Sequence, residues 1–126
     1  MKVRMFVNGQ AMSGGSLNDA LADAELVGRR RTAARYRFFN VRDEFPALYP
    51  VESGGAAISG EIYEVEDAVL RDKLLPREPS ELELTIIEME DGTGSLCMRL
   101  REEWLGHEDL GDITELGDWR LVNAAG

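Results

Sequence analysis

The hydrophobic pattern predicts an α+β domain: a small, mostly antiparallel β-barrel with two helices outside it. Three observations carry that expectation. Residues 2–7 alternate, with Val3, Met5 and Val7 on one side, which is the period of a half-buried strand. Asp91-Gly92 separates the apolar runs 82–89 and 96–100, and that dipeptide is the strongest hairpin signal in the chain. Helical spacing occurs in two short stretches, one after Ser16 and one over Glu66 to Leu75. Antiparallel strands then dominate, and closing them into a barrel removes exposed sheet edges.

In chain order, the first strand runs into Asn8-Gly9-Gln10-Ala11-Met12-Ser13-Gly14-Gly15-Ser16-Leu17-Asn18, a loop with three glycines. Glycine carries no side chain, so such a loop can offer bare backbone N–H groups to a ligand. Ser16 is a good N-cap, Asp19 follows three residues later, and Leu17, Ala20, Leu21 and Ala24 fall at helical spacing up to about Leu26. Glu25 to Arg42 reads as strand, with a bulge or break at Ala33-Ala34. Two prolines make Phe45 to Pro50 an edge or crossing segment, and Gly54-Gly55 marks a turn. Ala56 to Val65 is a strand in which Gly60 marks a bulge or a close approach. The second helix should stop at Pro76, leaving 76–79 as an irregular connector before the hairpin. The chain reads as one domain over 1–126, with a core of about 2–101 and an acidic C-terminal extension, 102–126. In that extension Trp104, Leu105, Leu110, Ile113 and Leu116 pack as a loose cover and 119–122 adds a last short strand.

Composition removes several functions. A formal charge of −10 speaks against nucleic acid and against anionic membranes. No apolar run approaches the roughly 20 residues of a membrane span, the N-terminus has no signal-peptide pattern, and the single cysteine, Cys97, makes no internal disulfide. The expectation is a cytoplasmic protein. One histidine, His107, and one cysteine give no zinc set, and no carboxylates fall at calcium-loop spacing, so neither a metal nor a cofactor is expected. Ser13 and Ser16 lack the pattern of an activated nucleophile. His107 reads as a surface residue and Cys97 as core packing. The arginines at 29–31, 35 and 37 read first as a solvated face opposite surplus acids, with an anion clamp as the alternative.

Acid/base chemistry by carboxylates is what remains. Glu61 follows Gly60 in a strand, Glu78 stands between two prolines, and Glu81 sits where the helix hands over to the hairpin. A carboxyl in a partly apolar pocket has its pKa raised toward neutrality and suits proton transfer. Glu61, Glu78 and Glu81 are therefore the candidate catalytic residues. Asn8, Gly9, Gln10, Ala11, Met12 and Ser16 are the candidate substrate-binding residues.

The loop 9–18 resembles the glycine-led, Leu-Asn opening of the C-terminal domain of allophanate hydrolases. Thr32-Ala33-Ala34-Arg35-Tyr36-Arg37, Phe45-Pro46-Ala47-Leu48 and Gly55-Ala56-Ala57-Ile58-Ser59-Gly60-Glu61-Ile62-Tyr63 resemble later segments of that domain, and Pro79 and Asp91-Gly92 follow in order. The resemblance spans roughly Phe6 to Arg101. It implies a gamma-glutamylcyclotransferase-like fold. In the cyclotransferases a loop containing tyrosine and glycine binds the γ-glutamyl group through backbone atoms, and Asn8 stands here where the tyrosine would be. Their catalytic glutamate maps to Glu78, with Glu81 as the fallback. Two functions are then expected. One is a small-molecule-binding domain acting on a carboxylated amide, allophanate-like or γ-glutamyl-like, by carboxylate acid/base chemistry. The alternative is a non-catalytic accessory module that binds a separately encoded amidase.

Overall fold

The computed structural model describes residues 1–124. Among these residues eight strands form two sheets. The larger has the order β2-β5-β1-β7-β6, built from β1 (Lys2–Val7), β2 (Glu25–Arg31), β5 (Ser59–Glu66), β6 (Leu82–Glu88) and β7 (Gly94–Leu100). The smaller has the order β4-β3-β8, from β3 (Tyr36–Val41), β4 (Phe45–Pro50) and β8 (Leu110–Asp112). The class is α+β, with mixed sheets and few helices.

β1 lies at the centre of the larger sheet. It pairs antiparallel with β5 from Lys2↔Glu66 to Val7↔Glu61, and parallel with β7 through the single registered pair Met5↔Leu96. β6 and β7 make the hairpin expected around Asp91-Gly92, whose turn is held by Asp91 accepting both the N–H and the hydroxyl of Thr93. The prolines of β4 are tolerated because β4 is an edge strand.

The expected closed barrel is not what the strand ladders form among the described residues. Two sheets are present, and the edges of the larger approach each other at one isolated bridge, Thr32↔Met89, flanked by Glu90 N–H to Arg31 O and Ala33 N–H to Glu88 O. The sheet curls toward itself without a continuous ladder.

Three other expectations need correction. After the glycine loop there is only a 3-10 turn, Asn18–Leu21, with Leu17 at its cap position and no capping side chain. The segment is too short to sustain an α-helix, since nucleation fixes several residues for few bonds. Asn18 instead spends its side chain on the Ala11 carbonyl and the Tyr63 hydroxyl. The second helical stretch does not stop at Pro76. It runs as Asp67–Val69, a π-turn Leu70–Leu74 and a 3-10 turn Leu75–Arg77, and Pro76 is accommodated inside the last turn. The stretch expected as a final strand begins a short helix, Arg120–Ala124.

Phe6, Phe38, Met5, Leu48, Ile58 and Leu74 are the largest fully buried side chains and hold the two sheets together. The C-terminal part is built into this core: Ile113 packs against it and Trp119 is buried within it.

Candidate functional site

Beyond Met5↔Leu96, β1 follows its ladder with β5 while β7 stays with β6, so the two parallel neighbours part at their carboxyl ends. A crevice at such a point is where open sheets commonly place ligands. Here a cavity of about 160 Å³ opens between the ends of β1 and β7. Phe6, Val7, Cys97 and Met98 form its inner wall, Phe45, Pro46 and Leu82 its apolar sides, and the glycine loop and Arg77–Pro79 its mouth.

Of the residues nominated from sequence for binding, Asn8, Gly9, Gln10, Ala11 and Ser16 line this cavity. Met12 does not; it is buried in the core. The loop's fold is specified by close contacts that exclude side chains. A Cβ on Gly9 would come within 2.5 Å of Pro46 Cδ, and one on Gly15 within 2.1 Å of the Gln10 carbonyl oxygen. The loop's internal hydrogen bonds run from the N–H groups of Met12, Gly15, Leu17 and Asn18 to the carbonyls of Gly9, Met12, Gln10 and Gly15. None of them uses the N–H groups of Asn8, Gly9, Gln10 or Ala11. Ser16, expected as a helix cap, instead has its hydroxyl and N–H at 3.4 and 3.5 Å from Gln10 Oε1. Gln10 Nε2 donates to the Glu44 carbonyl at 3.0 Å, tying the loop to the entry of β4.

The three candidate carboxylates fall into three environments. Glu78 is in the cavity wall. Its N–H closes the last helical turn onto the Leu75 carbonyl, and its extended backbone leads into Pro79. Among the described residues its carboxyl has no hydrogen-bond or ion-pair partner, and burial raises its pKa to about 7. Glu81 lies outside the lining and is gripped by Arg42, whose guanidinium also reaches Glu44 and Asp109. That hydrogen bond holds the Glu81 carboxyl below the usual glutamate range. Glu61, also outside the lining, accepts the Ser13 N–H and pairs with Arg120, each at 2.7 Å.

Arg77 and Cys97 are among the lining residues that were not nominated from the sequence. Arg77 stands at the mouth, held by Asp19 at 2.7 Å and by the Ser16 carbonyl at 3.3 Å, and brings positive charge to a strongly acidic chain. Its place directly before Glu78 was the available signal. Cys97 forms part of the inner wall, with Asn8 Nδ2 at 3.8 Å from its Sγ. Burial pushes its thiol up, and the nearby Glu78 carboxyl adds to the shift. The thiol donates to the Met98 carbonyl at 3.2 Å. Cys97 is therefore a neutral wall residue, not a thiolate nucleophile. His107 stays apart, half-exposed beside Trp104, with Nδ1 accepting the Asp109 N–H at 3.1 Å.

A family model described as the allophanate hydrolase C-terminal domain matches residues 3–124. The chain belongs to that family. Among solved structures it is similar to a uropathogenic E. coli-specific protein, at 31% identity and TM-score 0.91, covering 100% of this chain and 98% of that one. It is also similar in fold to Kluyveromyces lactis allophanate hydrolase, at 22% identity and TM-score 0.90. There it covers 100% of this chain but 22% of the hydrolase, so the allophanate hydrolase C-terminal domain also occurs within a larger chain. An AIG2-like protein from Mus musculus matches at 26% identity and TM-score 0.59 over 83% of each chain, in keeping with a gamma-glutamylcyclotransferase-like fold. Among curated proteins none matches. No helix among the described residues is long and apolar enough to cross a membrane.

Proposed function

We propose that this allophanate hydrolase C-terminal domain binds a small carboxylated amide in the cavity at the end of β1 and transfers a proton to or from it through Glu78. The observation that carries the reading is Glu78 itself: a carboxyl in the cavity wall, without a protein partner among the described residues, whose pKa of about 7 lets it exchange a proton near neutral pH. The N–H groups of Asn8 to Ala11, which take no part in the loop's internal hydrogen bonds, supply donors for the ligand's carboxylate, and the Arg77 guanidinium, paired with Asp19 at the mouth, offers a further contact at short range. The Asn8 side chain reaches the same wall and offers an amide to a second polar group of the ligand.

The cavity volume, about 160 Å³, is well below the roughly 300–1,000 Å³ of sites that take drug-sized molecules. That favours an allophanate-like acyl urea over a γ-glutamyl compound. Glu81 and Glu61 are each committed to an arginine, which leaves proton transfer to Glu78.

The test is a thermal-shift and calorimetric screen of malonate, malonamate, urea and biuret against the wild type and Glu78→Gln. Ligand at about 100 times its dissociation constant stabilises the fold by about 2.7 kcal/mol. Binding of malonamate that depends on pH near 7 in the wild type, and loses that dependence in Glu78→Gln, is the expected result. Absence of any shift across the panel would reject the reading.

A second reading is a non-catalytic module that docks on an amidase. It is favoured by one observation: the similar fold forms 22% of the Kluyveromyces lactis allophanate hydrolase chain. Co-elution with a separately encoded amidase, together with no response to any small ligand, would select it.

A further inference from the structure

Glu61 lines no part of the cavity, yet it is 3% exposed, and its surroundings point to a role in holding the site. One carboxylate oxygen accepts the Ser13 N–H at 2.7 Å, and the other accepts a guanidinium N–H of Arg120 at 2.7 Å. Tyr63 lies two residues further along β5, on the same face of the strand. Its hydroxyl is 3.1 Å from the Ser13 hydroxyl and accepts the Asn18 amide at 3.0 Å. The same Asn18 amide donates to the Ala11 carbonyl at 2.9 Å. β5 thus grips the back of the loop whose front lines the cavity.

The grip is shared with the C-terminal segment. Arg29 is the cross-strand neighbour of Glu61, and it pairs with Asp118 at 2.9 Å. Glu61, Arg120, Asp118 and Arg29 therefore link β5, β2 and the segment around Trp119 by charges of alternating sign. Trp119, 7% exposed, is that segment's apolar anchor. The Arg120 guanidinium beside the buried Glu61 carboxylate offsets the cost of taking its charge out of water. Without Arg120 the Glu61 carboxylate would be left buried with no cation at its second oxygen, which weakens its hold on the Ser13 N–H.

From this geometry we infer that Glu61 is a positioning residue for the cavity, and that docking of the Asp118–Val122 segment through Arg120 sets the position of the glycine loop. The consequence for binding rests on the function proposed above; the mechanical coupling does not.

The experiment is hydrogen exchange on the full chain for the wild type, Arg120→Ala, Arg120→Lys and Glu61→Gln. It compares peptides covering 11–18 with peptides covering the β6–β7 hairpin, and measures malonamate affinity in parallel. Arg120→Ala should raise exchange over 11–18 at least tenfold with the hairpin unchanged, and Arg120→Lys should restore most of the protection. Glu61→Gln is nearly isosteric and tests the coupling if Arg120→Ala fails to fold; it too should raise exchange over 11–18. Wherever the wild type binds malonamate, the dissociation constant should rise at least tenfold in Arg120→Ala. Unchanged exchange over 11–18 in either variant, or an equal rise in the hairpin, would overturn the inference. If the wild type binds no member of the small-ligand panel, the functional reading fails while the exchange data still decide the coupling.

Discussion

Glu78 offers a measurement that needs no substrate. A carboxyl whose pKa is raised from 4.5 to about 7 on folding favours the folded state while it is protonated, and that stabilisation is lost as pH rises through 7. From the shift, the stability lost relative to a permanently neutral side chain is under about 1 kcal/mol at pH 5, where only the unfolded chain ionises, and about 3 kcal/mol at pH 8. Glu78→Gln keeps the shape and removes the charge. Its stability relative to the wild type should therefore improve by about 2–3 kcal/mol between pH 5 and pH 8. Urea denaturation of both proteins at the two pH values measures this directly, and in melting temperature the change is worth roughly 10 °C. A difference that stays within about 0.5 kcal/mol across that range would mean that Glu78 is solvated like an ordinary surface carboxylate. The proton-transfer role would fall with it.

Other perturbations test the walls of the site. Gly15→Ala drives a methyl into the Gln10 carbonyl and should destabilise the fold by about 2–4 kcal/mol in thermal melts, whereas Gly14→Ala, with nothing within 4 Å of the new methyl but a φ of +86°, should cost only about 1 kcal/mol. Cys97 should resist iodoacetamide in the folded protein at pH 8 and react promptly in urea, because its thiol is buried and shifted upward. Arg42→Ala leaves the Glu81 carboxylate buried without its partner and should lower stability at pH 7 by about 2–3 kcal/mol. Glu81 is depressed in the fold, so its contribution is complete above the unfolded pKa and lost as pH falls; the wild type and Arg42→Ala should converge in acid.

Strand positions were the most legible part of the chain. The alternation in residues 2–7 and Asp91-Gly92 between two apolar runs are local signals, and β1 and the β6–β7 hairpin lie where those signals point. The helices were less legible because apolar spacing says which face is buried and not how many turns survive. Leu17 to Ala24 has the spacing, but Asn18 is spent on Tyr63 and Ala11, contacts that arise only when β5 is in place. The turn between β3 and β4 was missed for a related reason. Arg42 and Asp43 both adopt positive φ, 54° and 61°, a conformation that Asp tolerates and Arg does not advertise. It is held by contacts distant in sequence, from Arg42 to Asp109 and Glu81, and by Asn40 accepting the Asp43 N–H. Sheet closure is likewise a matter of register between β2 and β6, which the strands themselves do not encode.

The carboxylates show where reading residue types stops. Glu61, Glu78 and Glu81 each sit beside a glycine, a proline or a strand start, and nothing in those neighbours ranks them. Their partners do. Arg120 and Arg42 arrive from 59 and 39 residues away and neutralise two of the three, converting them into anchors for the glycine loop and for the β3–β4 turn. Glu78 is the one that meets the cavity without a cation within ion-pair distance among the described residues, even though Arg77 precedes it in the chain. Arg77 is turned away toward Asp19 and the Ser16 carbonyl, so its charge serves the mouth and not the carboxyl next door. Had Arg77 folded back on Glu78, the carboxyl would titrate in the ordinary range and hold no proton at neutral pH. Asp19 therefore acts on the site indirectly. Removing it in Asp19→Ala should release Arg77 toward Glu78 and lower the carboxyl's pKa, and a carbon-detected NMR titration of the Glu78 side chain that shows no change would count against that arrangement.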